Sequence, residues 1–243
     1  MSMKWMSTVG MIAILVVVAA AHGDLSIIGT ATYQGSQYNL IWDDASALVW
    51  LDYTNPTAYW SNQMAWATGL DAQLTYNVDP TYAVTWSDAA WRLPSAGGAP
   101  SYGFQAATQE LGDLYYNKLG FLGGSSSGGV PAPDLDASVF ENLDLVGYWT
   151  STPGDPIFST KPVWMFAFRE TRSAPCYDTV YGFQDVDATS GSFWGIPLAV
   201  KHSGLAVRGV SDVSVVPLPA ALPLALLGLG TLAPMIRRRR RAG

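Results

Sequence analysis

Apart from its carboxylates, this chain has few side chains that could do proton or metal chemistry. Two histidines, His22 and His202, and one cysteine, Cys176, stand beside 19 acidic residues. One cysteine allows neither an internal disulfide nor a cysteine-rich metal site. Flanked by Pro175 and Tyr177, Cys176 reads as a small buried hydrophobe with no catalytic or cross-linking role. His22 falls at a predicted cleavage site, so a histidine-paired active site would rest on His202 alone. No G-x-S-x-G, H-E-x-x-H, P-loop or paired-histidine motif occurs. A glycosidase needs only two carboxylates, and composition does not exclude one, but no spacing points to it. Asp178, Asp185 and Asp187 are oxygen donors of the kind that hold calcium. Their spacing fits no calcium loop, so they are expected to be solvated surface acids, and no cofactor is expected. The chemistry left is recognition.

Recognition here would fall to aromatic rings, which stack on sugars. Among 10 tryptophans, Trp50, Trp91, Trp149 and Trp164 lie in strand-like runs and are expected in the core. Tyr76, Tyr82, Trp86, Tyr102, Phe193 and Trp194 lie in predicted loops. Of these, Trp86, Tyr102 and Trp194 are the candidate ligand-binding residues. Arg92 and Arg208 are expected to be structural, each satisfying carbonyls or a carboxylate in irregular backbone.

Both ends of the chain carry processing signals. Lys4, an apolar run over 9–21 and Ala19-Ala20-Ala21 predict a secretory signal peptide over 1–21. At the other end come Val216, Pro217, Leu218, Pro219 and Ala220, then an apolar run over 221–236, then Arg237, Arg238, Arg239, Arg240 and Arg241. The apolar run predicts a short membrane helix, and the arginines would stay on the cytoplasmic side. This order of motif, greasy helix and arginine cluster resembles the PEP-CTERM sorting tails of bacteria in their VPLPA form. The resemblance implies an exosortase-type protease as partner and an exopolysaccharide-producing cell. It also implies a protein held at the membrane before processing, then delivered to the cell surface or extracellular matrix.

Setting aside Lys4 and the five terminal arginines leaves seven basic residues against all 19 acids, a charge of −12 for the exported part. That field disfavours nucleic acid and other polyanions. Residues 24–215 suit one domain.

The elements that must position the candidates alternate between short strands and helices. A strand pair is predicted over 26–33 and 37–42, followed by a buried strand over 48–51 that Asn55-Pro56 ends. Helices are predicted over 62–68, capped by Ser61, and over 109–119, capped by Thr108. Strands are expected over 148–151, 163–168 and 205–208. Residues 71–88 and 120–134 read as loops, and 211–215 as a lead into the tail.

Several of these runs, in order, resemble the Lcl C-terminal domain family. They are LVWLD (48–52), residues 61–70, WRLPS (91–95), ELGDLYYNKLG (110–120), YWTST (148–152), residues 164–168 and LAVR (205–208). The family is similar to C-type-lectin-like folds. The resemblance implies a single α+β domain with two short helices, a twisted mixed or antiparallel sheet and long loops. Members have been linked to adhesion and glycosaminoglycan binding. The charge of −12 points instead to a neutral polysaccharide, or an acidic one bridged by calcium. The function expected is a non-catalytic glycan-binding or adhesion module. The alternatives are a structural matrix protein without a specific ligand and a secreted carbohydrate-active enzyme.

Overall fold

The computed structural model describes residues 25–217 except 105, 137, 156–161, 172–177, 189–191, 194, 195, 198 and 199. The signal segment, Cys176, Trp194, Leu218 to Ala220, the apolar run and the terminal arginines lie outside the described residues. In chain order the elements begin with β1 (Leu25–Tyr33), β2 (Ser36–Asp43), β3 (Leu48–Ala58), α1 (Trp60–Gly69), β4 (Thr75–Val78) and β5 (Tyr82–Trp86). There follow α2 (Glu110–Asp113), continued by a π turn over Leu114–Lys118, then β6 (Gly124–Ser125), β7 (Gly147–Pro153) and β8 (Pro162–Ala167). The last are β9 (Glu170–Thr171), β10 (Thr179–Tyr181), β11 (Phe183–Ala188), β12 (Ser192–Phe193), β13 (Ile196–Pro197) and β14 (His202–Val215). This is an α+β arrangement, mostly sheet, with two short helices.

One mixed sheet runs β11-β8-β7-β14-β3-β2-β1-β4, with β5 paired to the outer half of β14. Among the described residues its one parallel pairing is β14 with β7, at Ser203 and Tyr148. Core side chains cover both faces. Trp50, Tyr148, Phe166 and Phe168 pack with Leu111, Leu114 and Tyr115 beneath α2 and the π turn. Val49, Leu51, Ala206 and Trp91 form a cluster on the opposite face. Ala67 of α1 and Leu93 pack with Trp149 and Met165 in a third. Side chains alternate along β8 and into the residue after it, with Phe166 and Phe168 in the first cluster and Val163, Met165 and Ala167 in the third.

Several expectations need correction. Strand β3 runs past Asn55-Pro56 because β14 shifts register twice opposite it, around Gly204. Buried Gln63 of α1 then takes up the polar groups left over. It accepts from Asn55 Nδ2 at 2.6 Å and donates to the carbonyls of Pro56 and His202. Gly204 is required there, since a Cβ would lie 2.4 Å from Gln63 Oε1. Helix α1 starts at Trp60 after Tyr59, with no side-chain cap, so Ser61 does not cap it. Residues 75–86 are not a loop but two strands. Tyr76, Val78, Tyr82, Val84 and Trp86 turn toward the core and the residues between them toward solvent. The second helix is one α turn and one π turn, preceded by Gln109 and not capped by Thr108. Gly112 lies against the Ala106 carbonyl so closely that a Cβ would sit 1.9 Å from its oxygen.

Residues 211–215 belong to the sheet, paired with β5, and Val216 N–H donates to the Thr81 carbonyl at 2.7 Å. A chain ended after Pro217 is therefore expected to keep β5 in place. One ended after Val210 should expose residues 79–86 to protease, because β5 loses its pairing partner; limited proteolysis of both checks this. Among the described residues no helix is long and apolar enough to cross a membrane.

Candidate functional site

At the β11 edge of the sheet lies a groove of about 570 Å³. Its floor is Trp164 of β8 and Val186 of β11, which face each other across the ladder. Residues 97–100 and Tyr102 form one wall, and Thr152, Pro153 and Asp155 the other. Tyr102 is 58% exposed, and its ring centroid is 4.7 Å from that of Trp164, itself 7% exposed. Aromatic rings thus supply wall and floor, while peptide groups, a hydroxyl and one carboxylate supply polar contacts. This mixture suits a flat, hydroxyl-bearing ligand.

Each wall is held from below. The Gly103 N–H and carbonyl both bond to the Gln184 backbone at 2.9 Å, docking 102–104 onto the edge of β11. Phe104 meets Phe183 edge-on at 5.0 Å. The 94–97 segment is tied to β7: Ser151 N–H donates to the Pro94 carbonyl at 2.8 Å, and Ala96 N–H to Thr152 Oγ1 at 2.8 Å. Behind it Arg92 grips Glu110 in a two-bond fork at 2.7 and 2.8 Å, and Ser95 N–H donates to the same carboxylate. Burial works against the Arg92 charge, but hydrogen bonding and charge from Glu110, with Asp88 added, more than offset it and raise its pKa. WRLPS, ELGD and YWTST are thus one clamp behind the groove, and Arg92 is structural as expected.

The other candidates go elsewhere. Trp86 packs at the rim of the second core cluster, 6.0 Å from Trp91 and 4.6 Å beneath the Arg208 guanidinium. Tyr76 and Tyr82 share that cluster. The structure does not bring Trp86 and Tyr102 together. Trp50, Trp91, Trp149 and Trp164 are buried. Sequence reasoning placed Trp164 only in the core, although its ring also floors the groove; no local pattern marks that double role. Nor did any pattern single out Thr152 or Asp155.

The three acids considered for calcium do not converge. Asp178 accepts from Ser126 and Ser127, which hold its pKa well below the usual range. Asp185 accepts from the Val186 N–H, and Asp187 pairs with His202 at 2.5 Å. Among the described residues no group of three metal-binding side chains occurs. His202 is 7% exposed, with its ring edge-on to Trp149 at 4.6 Å. Among the described residues the partner of its Nε2 is Asp187. Compared with known proteins, the chain gives no match: no family model, no curated protein and no solved structure matches it.

Proposed function

We propose that this is a non-catalytic, exported glycan-binding or adhesion module of the cell surface or exopolysaccharide matrix. In this reading the domain is of the C-type-lectin-like, Lcl C-terminal kind. The tail from Val216 is its sorting signal, handled by an exosortase-type protease. The observation that supports binding is the exposed Tyr102 ring set against Trp164 at the mouth of the groove. A ring packed against Trp164 yet left more than half in solvent offers a surface on which a sugar can stack. The charge of −12 and the single carboxylate in the groove favour a neutral polysaccharide over a sulfated one.

The test is calorimetric titration with neutral and sulfated polysaccharides at two salt concentrations, with and without a chelator. Binding to a neutral polymer with little salt dependence is expected. Tyr102→Ala should weaken it about tenfold or more while thermal unfolding stays unchanged. Salt-sensitive, chelator-insensitive binding to the sulfated polymer would restore a glycosaminoglycan role. No binding to any polysaccharide would leave a structural matrix protein.

A further inference from the structure

We propose that Lys118 and Asp43 condense to an intramolecular isopeptide bond, cross-linking the end of β2 to the end of the π turn. Lys118 Nζ lies 2.6 Å from Asp43 Oδ1, with the two side chains 3% and 1% exposed. The pair sits at the first core cluster, which holds Ile41, Leu48, Trp50 and Tyr115 with Leu25 and Leu119 packed against it. Within that enclosure Asp43 Oδ2 has no hydrogen-bond partner. A carboxylate so placed keeps an unsatisfied oxygen in apolar surroundings, which is costly. In the step proposed, one proton moves from Nζ to Oδ1, which leaves a neutral amine against a neutral acid. Those are the reactants of amide formation, already in contact.

The step balances within the pair. The amine lone pair attacks Asp43 Cγ and forms the C–N bond. A second proton then passes from nitrogen to the Oδ1 hydroxyl of the adduct. The C–O bond breaks and Oδ1 leaves as water. The nitrogen keeps one hydrogen, Oδ2 becomes the amide oxygen, and nothing is oxidised or reduced. The product replaces an ammonium and a carboxylate with one donor and one acceptor, so fewer buried polar groups need partners. The loop it closes contains β3, α1, β4, β5 and the 97–102 wall of the groove. A chain with one cysteine cannot close that loop with a disulfide.

The experiment is peptide mapping by mass spectrometry of the full-length chain, digested under denaturing conditions. Trypsin cuts after a lysine only when its amine is free. The expected result is no cut after Lys118, and a branched peptide joining residues 43 and 118 that is lighter than its two parts by one water. Lys118→Arg should return two separate peptides. Full cleavage after Lys118 in the wild-type chain, with no mass lost, would leave an ordinary ion pair and overturn the proposal. The wild-type map decides alone, so the outcome does not depend on the variant folding or on glycan binding.

Discussion

Replacing Trp91 with alanine is expected to lower stability by about 3–5 kcal/mol, the range for removing a large buried aromatic. Trp91 is fully buried among Val49, Leu51 and Ala206, so its loss leaves a cavity in the cluster that backs the sheet. Its ring also completes a polar chain. Trp91 Nε1 donates to Tyr76 Oη at 2.7 Å, Tyr76 donates to Asp71 Oδ1 at 2.7 Å, and Arg208 binds the same Asp71 oxygen at 2.6 Å. Burial, followed by the bond to Asp71, raises the Tyr76 pKa, so the hydroxyl stays a donor at neutral pH. The next residue, Arg92, bridges backbone to backbone with Val207 at 2.9 and 3.0 Å, which fixes where the ring enters. Trp91→Phe keeps most of the packing and loses the hydrogen bond, so it should cost much less than the alanine variant. Urea unfolding of both variants checks the order. A near-native midpoint for Trp91→Ala would overturn this account and move Trp91 toward a ligand role.

Wherever burial follows from local pattern, the sequence could be read. Trp164, Met165, Phe166, Ala167 and Phe168 alternate at strand spacing and are all buried, and Leu111, Leu114 and Tyr115 recur at helical spacing on one buried face. Long-range arrangement was not legible. Strands β4 and β5 are too short for their alternation to stand out from a loop. The π turn over Leu114–Lys118 departs from the 3.6-residue repeat, which helix periodicity does not encode. The extension of β3 through a proline needed Gln63 from α1, and a buried glutamine gives no sequence signal. The groove shows the same limit from the other side. Tyr102 was identifiable as a loop aromatic, but so was Trp86. What separates them is that Arg208 and Trp91 cover Trp86, whereas Gly103 docks on β11 and leaves Tyr102 in solvent. His202 and Asp187 are 15 residues apart in the chain, and no local pattern marks them as partners.

Asp52→Ala is expected to cost about 2–4 kcal/mol, from the loss of several hydrogen bonds to one buried carboxylate. Asp52 is fully buried at the end of the LVWLD run in β3. It accepts from Glu141 N–H and Asn142 N–H, each at 3.0 Å, and from Asn142 Nδ2 at 3.2 Å. Two residues on, Thr54 Oγ1 bonds the Asn142 carbonyl and receives Asp144 N–H, each at 3.0 Å. Tyr148 then donates to the Asp144 carbonyl at 2.8 Å. Strand β3 thus stitches an irregular segment, 141–144, to the sheet, and that segment brings Phe140 and Leu143 into the first core cluster. Glu141 and Asn142 are exposed, so their freed amides can turn to water, which keeps the cost below that of stranding fully buried donors. Asp52→Asn should recover little, because its amide nitrogen would face donors where the carboxylate faced them as an acceptor. The readouts are chemical denaturation and the rate of proteolytic nicking over 138–146. Nicking should rise in both variants before global unfolding, since the segment detaches first. An alanine variant within about 0.5 kcal/mol of wild type and no faster to nick would show that the segment is held by Phe140 and Leu143 alone.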